Sequence, residues 1–179
     1  ATTGAEVDTR AVTAVEMTEG TLGIFRLPET DYTALENIRY NRVAGENWKP
    51  ASTVIYVGAT YARLCAYAPY NSVEFKNSSL KTEASLTMQT YAAEKDMRFA
   101  VSGGDEVWKK TPTANFELKR AYARLVLSVV RDATYPNTCK ITKAKIEASA
   151  GNIITANTVD ISTGTEGSGT QTPQYIHTV

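Results

Sequence analysis

The amino-acid sequence predicts an all-β fold, an antiparallel sandwich of about seven to nine short strands. Composition is the first reason, because Thr, Ser, Ala, Val and Tyr are abundant in the 179 residues while Leu is scarce. Spacing is the second, because short apolar or alternating segments are separated by turn-forming residues at close intervals. The third reason is that no segment shows a convincing 3.6-residue period, which an amphipathic helix requires.

The longest apolar run lies in residues 115–130, and we expect the fold to be organised around it. The first part of this stretch alternates apolar and charged residues, as a strand with one solvated face does. Residues 124–130 are apolar on both faces, which is typical of a strand in the middle of a sandwich. Residues 119–124 break the alternation, as a bulge or bend would. A helix over residues 118–127 is the alternative, but β-branched enrichment and the preceding Thr-Pro-Thr favour a strand.

The other predicted strands are short and are bounded by turn residues or proline. In chain order they are residues 10–17, 21–27, 38–40, 53–57, 62–68, 85–91, 96–101, 107–108, 139–148 and 153–161. The chain is therefore divided into a flexible N-terminus with a possible first strand (1–19), a sandwich domain (20–163) and a linker or tail rich in Gly, Ser and Thr (164–179).

The charge balance and hydropathy of the chain argue against two classes of partner. Lys plus Arg equals Asp plus Glu, at 19 each, so no basic face is implied and nucleic acid is not an expected partner. No apolar run approaches the length that spans a membrane. The first ten residues have no hydrophobic segment of the kind found in signal peptides, which a mature secreted chain would also lack.

The two cysteines, Cys65 and Cys139, lack the short spacing of a metal site. We expect both to be small buried hydrophobic residues. A long-range disulfide is the alternative in an oxidising compartment, and it would bring the two Cα atoms within about 7 Å.

The sequence contains no constellation that indicates catalysis, a cofactor or a metal. Its one histidine, His177, lies in the predicted tail, which removes Ser-His-Asp and Cys-His pairs as practical options. Asp105 and Glu106 lie beside two glycines, but two carboxylates fall well short of the roughly six oxygens that calcium takes. We therefore predict that the protein is not an enzyme and has no catalytic, cofactor-binding or metal site.

Aromatic residues offer one candidate binding surface. Trp48, Tyr61, Tyr67 and Tyr70 lie close together in the sequence, and an exposed cluster of them could contact a sugar or a partner protein. The alternative is that the rings pack into the sandwich and leave the tyrosine hydroxyls at its rim.

Several segments recur in a recognisable order and spacing. They are 20–25 (GTLGIF), Asn41, Trp48, 64–70 (LCAYAPY), 96–100 (DMRFA), 116–125 (FELKRAYARL) and 160–164 (DISTG). Together they resemble the amino-terminal domain of the fimbrillin family, the pilus and pilus-like surface proteins of the Bacteroidales. The pieces A-Y-A-P-Y and F-x-L-x-x-A-x-A-R-L are the most specific, and the resemblance covers residues 20–164. Family members often carry a His where Arg120 stands, and they normally continue into a second β domain.

The resemblance implies a transthyretin-like β-sandwich, export as a lipoprotein and assembly into a surface fibre with other pilus subunits. In the family an arginine-specific protease removes the first strand, and the groove left behind accepts a strand from the next subunit. Arg10 is the candidate cleavage site, although cleavage there would leave the predicted strand 10–17 in place. On this reading strand 10–17 is displaceable and lies beside the central stretch.

The predicted function is therefore a structural or adhesive subunit of a pilus, assembled by strand addition at the cell surface or outer membrane. A host glycan or protein is a possible further partner, and the membrane is reached only through a lipid anchor outside this chain. A secreted glycan- or protein-binding module that uses the aromatic cluster is the alternative.

Overall fold

The structure is a computed structural model that describes residues 3–7, 16–75, 81–101, 105–148 and 153–178, of which 3–7, 175, 177 and 178 are described by their backbone. Its strands pair only in the antiparallel sense, and the described residues form one 3-10 turn (Ala93–Lys95) and no α-helix. The predicted all-β sandwich is confirmed. Strand 10–17 of the prediction lies outside the described residues, except for Glu16 and Met17, which are irregular.

The structure has more strands than the sequence predicts because several are only two or three residues long. They are β1 (Thr3–Val7), β2 (Gly20–Arg26), β3 (Leu35–Arg42), β4 (Lys49–Pro50), β5 (Ala62–Ala68), β6 (Glu83–Thr87), β7 (Arg98–Ala100), β8 (Asp105–Val107), β9 (Leu118–Arg120), β10 (Leu125–Val129), β11 (Lys143–Glu147), β12 (Ile153–Asp160), β13 (Thr165–Glu166), β14 (Thr170–Thr172) and β15 (Gln174–Thr178).

The larger sheet has the strand order β4-β3-β2-β5-β7-β9, and β8 also pairs with β5. Its centre is the pair β2–β5, since these strands are almost entirely buried and carry apolar residues on both faces. The prediction that residues 115–130 form the centre is wrong. That stretch gives the sheet only its edge strand β9, and the chain then turns away at residues 121–124.

The smaller sheet is built on β12. Strands β13 and β14 follow one another along one edge of β12, from Asp160↔Thr165 to Ile153↔Thr172, and β6 pairs with it along residues 156–160. Residues 164–178, which composition predicts as a linker, thus return along β12 and then pair as β15 with β11. Gly, Ser and Thr mark flexible segments only where no neighbouring strand offers backbone hydrogen bonds.

The hydrophobic core lies between the two sheets. Phe25, Tyr67 and Phe99 project from the larger sheet, and Val159 and Ile161 come from β12 and the residue that follows it. All five are essentially inaccessible to solvent. This packing of two inner faces is the layer arrangement that defines a sandwich.

The opposite face of the larger sheet is covered by the connecting segments. Leu22, Ile24 and Leu64 on this face pack against side chains that include Trp48 and Phe116. Residues 53–57, in the connection between β4 and β5, have no regular secondary structure, so the prediction of a strand there is wrong.

Side chains in this segment nevertheless alternate between the sheet and the solvent. Ile55 packs on the sheet while Tyr56 faces solvent, as in a strand. The backbone, however, bonds to a side chain, since the Arg26 guanidinium donates to the Tyr56 carbonyl at 2.7 Å.

A close contact between Gly23 and Tyr67 fixes the pairing of β2 with β5. The two residues are directly opposite, and a Cβ on Gly23 would lie only 2.1 Å from the Tyr67 ring. The Tyr67 hydroxyl lies 2.7 Å from Asn37 Oδ1 and 2.9 Å from the Asn71 carbonyl, and it accepts the Asn71 N–H. Burial raises the pKa of this hydroxyl far above its usual value, so it remains a neutral donor.

The cysteines differ from each other in environment. Cys65 is buried in the core, as predicted, and burial raises the pKa of its thiol to about 12. Cys139 is exposed, which corrects the prediction that both are buried, and both are free thiols. Cys139 lies in a wholly exposed connection between β10 and β11, so no strand carries it into the core.

Candidate subunit interface

Strand β10 is apolar on both faces and is exposed on both. Leu125, Val126, Leu127 and Val129 each retain between 43% and 51% of their accessible surface. Since successive side chains of a strand point to opposite faces, each face of β10 remains about half exposed. The sequence pattern correctly identifies a strand that needs apolar neighbours on both sides, but within this chain the strand does not obtain them.

The cause lies in residues 121–124, between β9 and β10. The last backbone bond to the larger sheet is donated by Ala121 N–H to the Met97 carbonyl, at 2.8 Å. Ala121 and Tyr122 form a bend, and Arg124 stacks on the Tyr91 ring with its guanidinium carbon 4.0 Å from the centroid. The chain therefore leaves the sheet at this point and carries β10 out of the sandwich.

In the described part of the chain, β10 pairs only with β1, and the two form a separate two-stranded sheet. The register runs from Thr3↔Val129 to Val7↔Leu125. A two-stranded ribbon is at best marginally stable by itself. One edge of β10 is thus occupied by five residues from the N-terminus, and its other edge is unpaired among the described residues.

The free edge of the smaller sheet, at β6, is arranged differently. The Ser85 N–H points away from β12 and donates to Glu74 Oε1 at 2.9 Å. A cavity of about 250 Å³ lies along this edge, with Tyr67, Phe75 and other core residues among those lining it. A side chain therefore occupies one outward backbone group of β6, and an incoming strand would have to displace it before pairing there.

The four aromatic residues predicted as ligand contacts are not brought together. Tyr67 is in the core, and Trp48 packs on the outer face of the larger sheet. Tyr70 lies against the Arg39 guanidinium, 5.3 Å from ring centroid to Cζ. Tyr61 is exposed, but its aromatic neighbour is Trp108, which the sequence did not single out.

In the described part of the chain, charged side chains form ion pairs and do not converge as the ligands of a metal would. Asp96 is buried and lies 3.2 Å from Arg120 Nε and 3.5 Å from Arg98 Nη2. Among the residues that the structure describes, no three His, Cys, Asp or Glu side chains converge on one point. None of the described helical segments has the length and hydropathy needed to cross a bilayer.

Comparison with known proteins places this architecture in a family. The family model described as fimbrillin-like matches residues 9–177, nearly the whole chain. The chain belongs to the fimbrillin-like family. No curated protein is significantly similar to it. The resemblance seen over residues 20–164 is thereby confirmed, and for this fimbrillin-like chain it extends through β13 and β14 and most of β15.

Family membership has a direct functional meaning at a coarse level. Fimbrillin-like proteins are structural pilus subunits, so this chain is a pilus subunit that associates with other subunits in a fimbria at the cell surface. Arg10, the predicted cleavage site, lies outside the described residues. It follows β1 in the sequence, so cleavage there would separate β1 from the rest of the chain.

Proposed function

We propose that this fimbrillin-like chain is a structural or adhesive pilus subunit that joins its neighbour by strand addition, with β10 as the receiving strand. The observation that supports this proposal is the exposure of β10 on both faces, combined with its pairing to the five-residue strand β1. In the isolated subunit β1 holds the place that a strand of the next subunit takes in the fibre.

The sequence of β1 makes it a weak occupant. Its five residues are Thr, Gly, Ala, Glu and Val, and Gly and Ala bury little apolar surface and have low strand propensity. A longer, more apolar strand from a neighbour would pair with β10 over more residues. Equilibrium would then favour exchange whenever such a strand is available at high local concentration.

A comparison of energies indicates that side-chain burial and backbone hydrogen bonds must both contribute to the addition of a strand at β10. Burying the remaining half of a Leu or Val side chain is worth about 1 kcal/mol. Association costs roughly 4–15 kcal/mol in lost freedom. Covering the four half-exposed side chains of β10 therefore does not suffice, and the backbone bonds of the added strand are also required.

Proteolysis after Arg10 is part of the proposal. The sequence suggested that cleavage there would leave the first strand in place, because that strand was predicted at residues 10–17. With the strand at Thr3–Val7, the same cleavage severs β1 and leaves it held by the ribbon alone. A lipid anchor and an outer-membrane location also belong to this proposal, and family membership is their support.

The proposal is tested by deleting residues 1–10 and measuring molar mass by size exclusion with light scattering. We expect the full chain to be monomeric and the shortened chain to form oligomers in a concentration-dependent way. A synthetic peptide of residues 1–10 should suppress the oligomers, whereas a scrambled peptide should not. A shortened chain that stays monomeric with unchanged unfolding stability contradicts the proposal.

Two matched substitutions in the shortened chain locate the receiving surface. Val129→Glu places a charge on β10 and should abolish oligomers. Val73→Glu is the control, since Val73 is an even more exposed valine, at 81%, and lies outside β10. Equal effects of the two changes would show that oligomers form by nonspecific apolar contact. Arg10→Gln in the full chain should eliminate the N-terminal fragment released by an arginine-specific protease.

A further inference from the structure

Tyr61, which is exposed, and Trp108, which is half-buried, form an aromatic pair on the larger sheet that the proposed strand addition does not use. The register of β5 with β8 pairs Ala62 with Val107, so Tyr61 and Trp108 are the next residues across from each other. Their ring centroids are 5.4 Å apart with an interplanar angle of 39°. Tyr61 is 57% exposed, which leaves much of its ring open to solvent.

Two lysines accompany this pair. Lys109 and Lys110 follow Trp108 directly, and Lys110 Nζ lies 5.2 Å from the centroid of the Trp108 ring. Among the described residues, neither ammonium lies within ion-pair distance of a carboxylate. The surface thus combines an exposed tyrosine ring, a half-buried tryptophan ring and two exposed lysines that follow it in the sequence.

The backbone under these side chains is fixed before any ligand arrives. Trp108 and Thr111 close a tight turn through bonds of 3.4 and 3.0 Å, and the Lys109 N–H donates to the Gly58 carbonyl at 2.9 Å. Tyr32 clamps the facing segment, because its hydroxyl accepts the Gly58 N–H at 2.7 Å and donates to the Thr60 carbonyl at 2.8 Å. Both aromatic residues therefore stand on one preorganised scaffold, which lowers the entropy lost on binding.

We propose that Tyr61, Trp108, Lys109 and Lys110 form a binding site for an acidic saccharide. A pyranose ring presents an apolar C–H face that stacks on an aromatic ring, and its hydroxyls accept from an indole N–H. Carboxylate or sulfate groups on the sugar pair with the Lys110 ammonium beside the Trp108 ring and with the neighbouring Lys109. A neutral sugar leaves the lysines unused, and an acidic peptide without sugar rings leaves the aromatic faces unused.

This inference is separate from strand addition, because none of the four residues belongs to β1 or β10. Failure of one proposal therefore leaves the other standing. The binding experiment uses the full chain, in which β1 is present.

The test measures binding of a hyaluronan oligosaccharide and a heparin oligosaccharide by titration calorimetry at low and moderate salt. At least one should bind, and Tyr61→Ala or the double change Lys109→Gln/Lys110→Gln should weaken it about tenfold or more. Affinity should fall as salt rises, because part of it comes from ion pairing. The double lysine variant should lose most of this salt dependence.

Matched controls keep the result specific. Tyr135→Ala and Lys140→Gln remove an exposed tyrosine and an exposed lysine elsewhere, and they should leave affinity unchanged. Trp108→Phe should weaken binding while keeping the fold, as checked by thermal unfolding. Absence of binding to both probes overturns the proposal. So does equally tight binding of poly-glutamate or of a neutral chitin oligosaccharide, because the first needs no sugar ring and the second no charge.

Discussion

Gly23, in β2, sets a strict steric condition on the core. The ring of Tyr67 lies where a side chain at Gly23 would be, and Tyr67 is itself held by Asn37 and Asn71. A methyl group at this position must push either the ring or the strand away. The sequence showed a glycine inside a strand, which indicates close approach of another group, but it could not show which group approaches.

Gly23→Ala should destabilise the protein by about 1–3 kcal/mol, the usual cost of overpacking a core. Urea unfolding followed by near-UV circular dichroism measures the change. Gly45→Ala is a useful comparison, because Gly45 has a φ of +82° but no atom within 4 Å, so it reports backbone strain without crowding. Equal stability of Gly23→Ala and the parent would contradict the steric condition.

A second residue-scale consequence concerns acid stability at Asp160. Burial raises the pKa of this carboxyl, but hydrogen bonds from the Ser162 hydroxyl and N–H, at 2.7 and 2.8 Å, outweigh it, so the pKa falls below 3.8. Because the pKa of this carboxyl is lower in the folded than in the unfolded chain, its ionised form stabilises the fold at pH values above the ordinary pKa. That stabilisation is lost as pH falls through the folded pKa.

Asp160→Asn should therefore lower the free energy of unfolding at pH 7 and have less effect once the pH is well below 3.8. Thermal unfolding at a series of pH values measures the difference between variant and parent. Asp31→Asn, at an exposed position in a connection, is the control. A difference that does not shrink in acid would show that hydrogen bonds to the carboxylate charge are not its source.

At the scale of elements, one buried arginine replaces a strand pairing. The Arg26 guanidinium donates to Thr33 and Tyr56 carbonyls and stacks on Tyr32, 5.0 Å from its centroid. These bonds hold the irregular connection over residues 51–60 against the outer face of the larger sheet. The apolar run over residues 53–57 predicted a strand, but it could not show that the backbone there bonds to a guanidinium.

Arg26→Met keeps the aliphatic bulk and removes the donors, leaving two carbonyls without their partner. We expect a loss of about 2 kcal/mol or more, since each unsatisfied buried polar group costs about 1–3 kcal/mol. Limited proteolysis should also become faster within residues 51–60. Arg39→Met, at an exposed position on β3, should have little effect on either measurement. Comparable losses for both variants would contradict a special role for Arg26.

Most elements of the fold followed from local pattern, and most of the pairings did not. Strands β2, β5, β7 and β12 lie where alternation and apolar runs placed them. The exception is β10, whose pattern demands burial that the chain itself does not provide. Periodicity reports the surroundings that a strand requires, and under the proposed strand addition part of those surroundings belongs to another subunit.

At the scale of the whole molecule, stability should be unevenly distributed. Strands β2 and β5 lie between two apolar layers, whereas β1 and β10 share only a ribbon. Local opening is easiest where few apolar contacts are broken. The sequence could not give this ranking, because it depends on which segments meet across the sandwich.

Native-state hydrogen exchange should show the ranking directly. We expect amides of β10 to exchange at least tenfold faster than those of β2 and β5, which should exchange only through global unfolding. In the chain shortened by residues 1–10, addition of the peptide of residues 1–10 in excess should slow exchange in β10 alone. Uniform protection across the three strands would indicate that β10 is as firmly held as the centre of the fold.

The side chain that covers part of β6 has a consequence for the shape of a filament. Glu74 accepts the outward Ser85 N–H of that strand within the subunit, so a passing chain would have to displace Glu74 before pairing there. Under the proposed strand addition at β10, this contact disfavours a second neighbour at β6. A branch in the thread of subunits would need such a second neighbour.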